Sequence, residues 1–216
     1  MYRVEPPEIS IDLSTPANPQ ALLKGSDPVV EVLIAGQDFT GLRVNAPSIG
    51  EAKLDKVVAS SADLEKVNLI DVQVTHSDLT AASCAEASWC RVTLSDLRAS
   101  GLKLHGSTLQ DVCFKGCKLD LSNFRSSTLK RILFVDCVLD EADFYKAKME
   151  QVRFENCSLH AAEFSGVSCK QVDLRTSELD GLNGVAGLAG ATIDSVQLTT
   201  IARTLAAELK VNVSDN

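Results

Sequence analysis

The run Phe114-Lys-Gly-Cys-Lys-Leu119-Asp-Leu-Ser-Asn-Phe124-Arg-Ser-Ser-Thr-Leu129-Lys-Arg-Ile-Leu-Phe134 places a large apolar residue at every fifth position. Extended outward, the same register holds from Phe39 to Leu179 without a slip. It comprises 29 positions, 25 of them large and apolar; Ala59, Cys84, Ala99 and Cys169 are the exceptions. Two residues before each stands a small or aliphatic residue, as in Ala52, Val57, Ala62, Val67, Cys117, Ser122, Cys137 and Ala142, with Gln37 and Pro47 departing. The other three positions are mostly Asp, Lys, Arg, Ser, Thr and Gly.

A period of five fits neither the helical repeat of about 3.6 nor the strand repeat of about 2. Two inward positions separated by one residue demand short extended segments between bends. One such unit cannot bury its two apolar side chains alone, but stacked coils can, because each roofs the one below. Backbone groups then pair between coils at the sheet spacing of about 4.8 Å. Leu97 and Leu102 are large where a small residue is usual, and Ala99 between them is small. This reads as a volume swap within one coil.

Ala62-Asp63-Leu64, Ser77-Asp78-Leu79, Ser122-Asn123-Phe124, Ala142-Asp143-Phe144 and Ala162-Glu163-Phe164 resemble the A-(D/N)-L-x-x motif of the pentapeptide-repeat family. The resemblance implies an all-β fold: a right-handed quadrilateral β-helix with four units per coil. It implies about seven coils and a rod roughly 34 Å long at the sheet spacing. The expected organisation is an N-terminal extension and lead-in strand over 1–36, the β-helix over 37–181, and a C-terminal cap and helix over 182–216. In the last segment Asp194 and Gln197 form a capping box, and Leu198, Ile201, Ala202, Leu205, Ala206 and Leu209 keep helical spacing. Similar family members end in a helix that caps the rod and joins two rods. A homodimer is therefore expected through Leu198, Ile201, Leu205, Leu209, Val211 and Val213.

The chain carries 29 acids against 21 bases, a formal charge of −8. Direct nucleic-acid binding needs a basic footprint and is not expected. The start lacks an apolar leader and no apolar run reaches membrane-spanning length, so the expectation is a cytosolic protein that makes no membrane contact. Seven cysteines without a secretion signal read as free thiols. No cofactor is expected. Gly181, Gly184, Gly187 and Gly190 lack the Gly-Lys-Ser/Thr ending of a phosphate loop and read as a turn and cap. Cys117, Cys137 and Cys157, twenty residues apart, read as small fillers of an inner corner, and Cys90 and Cys113 as outward, more reactive thiols. His76, His105 and His160 fall on different faces, with no nucleophile stacked beside them. No enzyme motif is found, and a regular rod lacks the concave pocket that enzymes use.

Folding at four units per coil assigns each unit to a side. One side collects Asp38, Asp78, Asp120, Asp140, Glu141, Glu178 and Asp180 against Arg98 and Lys118 only. In its plain rod the sequence is similar to the loop-free mycobacterial quinolone-resistance members of the family. Those look like B-DNA and occupy the DNA-binding saddle of DNA gyrase. The resemblance implies a DNA mimic that binds gyrase or another topoisomerase and protects it from quinolone-type inhibitors. The alternative is a structural adaptor with an unknown protein partner, for which Cys113, Leu133, Val135 and Val138 form a candidate apolar patch.

Overall fold

The computed structural model describes residues 3–25 and 27–214 of the 216. Seven strands begin twenty residues apart: β3 Ser48–Asp55, β4 Asn68–Thr75, β5 Ser88–Ser95, β6 Thr108–Lys115, β7 Thr128–Val135, β8 Lys148–Glu155 and β9 Ser168–Asp173. Each pairs in parallel with the next, and the register joins residues twenty apart, as in Phe114 with Phe134 and Phe134 with Phe154. Single bridges repeat the pairing on the other sides, for example Asp38–Val58–Asp78 and Arg43–Asp63–Ser83. The chain is thus a parallel β-solenoid with twenty residues per coil.

The corners explain why five residues suffice for a side. Ser61, Lys66, Asp71, His76, Ala81, Glu86, Arg91 and Asp96 all have φ between 47° and 59°. This left-handed conformation turns the chain between extended segments, at roughly 1–2 kcal/mol for each residue that carries a Cβ. Inter-coil hydrogen bonds such as Leu64 N–H to Ser83 O (2.8 Å) and Asp63 N–H to Leu42 O (2.7 Å) offset that strain on every side.

The interior follows the five-residue register. Phe114, Phe134 and Phe154 stack face to face at 4.9 and 4.8 Å between centroids. Phe124 and Phe144 form a second column at 4.9 Å, set edge-on to the first at 6.0–6.4 Å. The stacking expected from a four-unit coil is therefore present, and the two columns meet across the bore and fill it. Leu97, Ala99 and Leu102 are all buried, as the volume swap requires.

The stack reaches past the five-residue register and comes to about 8 turns. The expected lead-in strand is two strands, β1 Val29–Val30 and β2 Leu33–Ala35, both paired with β3. They are broken at Glu31, whose φ of 54° makes it one more corner. At the far end β10 Ala191–Thr192 pairs with β9. Two helices close the ends. α1 Pro19–Leu23 tucks Pro19 and Leu23 onto the first coil. α2 Ser195–Glu208 covers the last coil with Ile201 buried, Leu205 packed on the core, and the Asp194–Gln197 capping box formed.

Candidate partner-binding faces

The acidic side is built from two columns and a corner. Asp38, Val58, Asp78, Arg98, Lys118, Val138, Ser158 and Glu178 bridge in sequence down the first. The second lies two residues further along the chain and carries Asp120, Asp140, His160 and Asp180 on successive coils, and Glu141 sits at a left-handed corner beside it. Asp38, Glu141, Glu178 and Asp180 are exposed; Asp78, Asp120 and Asp140 are half-buried.

The half-buried carboxylates are held by neighbours. Ser100 Oγ donates to Asp120 at 2.6 Å, and Lys118 Nζ lies 4.0 Å from the same carboxylate. Ser158 Oγ and the His160 N–H (3.2 Å) donate to Asp140. The Thr40 side chain and N–H lower the Asp38 carboxyl below the usual range. Partial burial works to raise Asp78, but hydrogen bonds from Thr80 and Ser60 outweigh it and the net shift is downward. The acids concentrate toward the C-terminal end, where Asp120, Asp140, Glu141, Glu178 and Asp180 fall on three of four successive coils, the coil of Ser158 and His160 carrying none, with Lys118 among them.

The four apolar candidates do not share one plane. Cys113 and Leu133 stack on adjacent coils and Val135 follows Leu133 on the same side, all half-buried. Val138 lies beyond the corner at Asp136, in the acidic column, and is 38% exposed. Burial pushes the Cys113 thiol up to about 11, which makes it a poorer nucleophile rather than the reactive thiol expected from its outward position. Cys117, Cys137 and Cys157 are buried in the wall, where their thiols donate to main-chain carbonyls such as Lys115 O (3.4 Å) and Val135 O (3.3 Å). Among the described residues no cluster of three or more His, Cys, Asp and Glu is placed to hold a metal ion. His76, His105 and His160 are exposed; His76 Nδ1 lies 2.8 Å from Asp55 Oδ1. No helix among the described residues is long and apolar enough to cross a membrane.

The C-terminal stripe divides in two. Ile201 and Leu205 face the rod end, whereas Leu198, Leu209, Val211 and Val213 are exposed. Gln197 does more than cap its helix: its buried amide donates to Leu174 O and Ser177 O, both at 2.6 Å, as a second donor to Leu174 O beside the Ser177 N–H (3.0 Å) and as a donor to Ser177 O. Glu208 accepts the N–H groups of Val185 and Ala186, each at 2.9 Å. The glycine series serves close approach. A Cβ on Gly184 would sit 2.2 Å from Ser165 N, and one on Gly187 2.0 Å from Phe164 O.

One surface element has no periodicity of its own in the sequence. The N-terminal segment lies along the corner formed by Glu31, Asp71, Arg91, Asp111 and Arg131. The Glu5 N–H donates to Asp111 (3.3 Å), the Glu8 N–H to Asp71 (2.8 Å) and the Ser14 N–H to Glu31 O (2.8 Å). Arg91 clamps Asp71 through Nε (2.6 Å) and Nη2 (2.5 Å), and Arg131 clamps Asp111 in the same way. These bonds hold both carboxyls below their ordinary range although burial opposes it, most strongly at Asp111. The spacing is commensurate. Three residues of polyproline II advance about 9.3 Å and return to the same side, and two coil spacings are about 9.6 Å. Pro6 and Pro7, whose rings fix φ, lie between the two donors. The alternating Asp71, Arg91, Asp111, Arg131 at twenty-residue intervals is the signal in the sequence that marks this corner.

Fold and faces together define a β-solenoid that offers flat stacked sides and capped ends. Within it, residues 107–183 match the family model described as a pentapeptide repeat region. No curated protein matches the sequence. Among solved structures the chain is similar to HetL, a pentapeptide repeat protein involved in heterocyst differentiation regulation from the cyanobacterium Nostoc sp. strain PCC 7120. The identity is 14%, over 74% of this chain and 87% of that one, with a TM-score of 0.37. It is also similar to full-length QnrB1, a plasmid-mediated fluoroquinolone resistance protein, with 17% identity over 84% and 99% of the two chains and a TM-score of 0.34.

Proposed function

We propose that the chain is a non-enzymatic binding rod whose acidic side stands in for a strand of DNA on a basic, DNA-binding protein surface. The partner class is DNA gyrase or another topoisomerase, and the outcome for that enzyme is protection from quinolone-type inhibitors. The observation that carries the reading is the acid column at the C-terminal end of the rod. Over the whole rod, seven acids in roughly 34 Å are about threefold sparser than the charge of duplex DNA, one per about 1.7 Å. Over the last four coils the five acids come to one per about 4 Å, near the 3.4 Å or so per phosphate of a single strand. A second copy of the chain is the other proposed partner, docked through Leu198, Leu209, Val211 and Val213 so that two acidic sides run in one longer rod.

The experiment is a gyrase supercoiling assay with added protein at several salt concentrations, beside the Asp120→Lys, Asp140→Lys, Glu141→Lys triple variant. The expected result is inhibition that fades as salt rises, absent from a triple variant of unchanged circular dichroism. No inhibition at micromolar wild-type protein would sink the mimic. Equal inhibition by the triple variant would move the contact to the other sides of the rod and favour an adaptor.

A further inference from the structure

The bore of the rod is solid at one end and hollow at the other. From Phe114 to Phe164 the ring columns close it, and those rings are buried to within 1%. In the first coils the same inward positions hold Val44, Leu54, Leu64 and Leu79, and all four remain only partly buried although they point into the core. The difference is one of side-chain volume. Ala59 stands in the column between Phe39 and Leu79, and Cys84 stands where a large residue is the rule, so opposing walls do not meet. The result is an apolar cavity of about 70 Å³ that runs from Phe39 to Leu94, and its accessible wall is entirely apolar. Leu23 of α1 forms its outer end and Trp89 lies at its inner end, next to the first stacked ring at a centroid distance of 6.4 Å.

We propose that this chamber is a binding site for a small non-polar ligand that enters behind the Leu23 stopper. Ser77 and Trp89 also line it, but Ser77 Oγ is engaged by the Val57 N–H and Thr75 O and Trp89 Nε1 is buried, so the accessible surface is apolar, and apolar cavities of this kind stay dry and admit apolar solutes. The volume is roughly half of the 150 Å³ or so that accommodates benzene, which fits a xenon atom or an alkane of about three carbons. The stopper is a single turn of helix, tied to the rod by Gln20 Nε2 donating to Asp38 O at 2.8 Å. The ligand class is therefore defined by size and the absence of polar atoms, and the site is separate from the acidic side.

Xenon is the probe. Its binding to the full chain is followed by the ¹²⁹Xe chemical shift against protein concentration and by quenching of Trp89, the one tryptophan of the chain. The expected result is a saturable site of one xenon per chain, with quenching that saturates in parallel. Ala59→Leu, which fills the chamber, should remove the saturable component; Leu23→Ala should keep it and speed exchange. A linear, non-saturating shift in the wild type overturns the proposal, as does a saturable site that persists in folded Ala59→Leu. Ala59→Val, a smaller filling, serves if the leucine variant does not fold, and must then weaken xenon binding.

Discussion

Asp111→Asn tests the corner that holds the N-terminal segment. Asp111 is 1% exposed and takes three donors: Nε and Nη2 of Arg131, and the Glu5 N–H. Asparagine keeps one acceptor, loses the charge, and turns an amide N–H₂ toward donors. Breaking one side of a buried ion pair costs about 3–5 kcal/mol. The Arg131 side chain is 23% exposed and recovers part of its hydration, so the expected loss is about 2–3 kcal/mol. Urea unfolding followed by circular dichroism at pH 7 measures it as a lower midpoint with unchanged slope. Combining the substitution with removal of residues 1–13 isolates the segment's share, an expected coupling of about 0.5–1.5 kcal/mol. The pH dependence has a fixed sign. Asp71 and Asp111 both have folded pKa values below the ordinary 3.8. Their stabilisation is therefore complete above that value and is lost as pH falls through the folded values below it. The asparagine variant should show a shallower acid limb in that window. A loss under about 0.5 kcal/mol, or no coupling to the segment, would refute the clamp.

Phe134→Ala removes the middle ring of a three-ring stack and should cost about 3–5 kcal/mol by urea unfolding; a loss below about 1 kcal/mol would contradict its burial. Gln197→Ala takes the side-chain donor from Ser177 O, leaves Leu174 O with the Ser177 N–H alone, and dissolves the capping box. It should lower stability by about 2 kcal/mol and raise amide exchange in the last coil first, whereas uniform exchange would deny its role as an end cap. Leu209→Asp with Val211→Asp and Val213→Asp should turn a dimeric sedimentation mass into a monomeric one. A monomeric wild type at tens of micromolar rules the dimer out.

The interior was legible because burial repeats with a fixed period, and each misplaced residue would expose a side chain or split a ladder. The corners were legible only in position: the left-handed φ of Lys66 or Arg91 has no signature in residue type. Gln197 was read as a helix cap, and its second role on Leu174 and Ser177 depends on how close the helix lies to the last coil. The acidic side follows from counting by twenties, but counting does not show that Ser100 and Ser158 engage Asp120 and Asp140. Cys113 points outward in the register, yet its surroundings half-bury it and raise its thiol. The segment over 3–14 was opaque for a different reason. It has no period of its own, and the bond from Glu5 to Asp111 spans 106 residues.

That span has a temporal consequence. In a solenoid each coil touches only its neighbours, so the coils assemble one after another and the ends come loose first. The segment around Glu5 is made before the coils it binds, yet its seat at Asp111 and Arg131 exists only once seven strands, β1 to β7, have been laid down. Residues made before any of these coils thus find their place only when the stack has reached its middle. When they do, they bind the coils of Glu31, Asp71 and Asp111 into one block. Loosening at that end then releases several coils together, and the latch marks a stack that has grown to its middle.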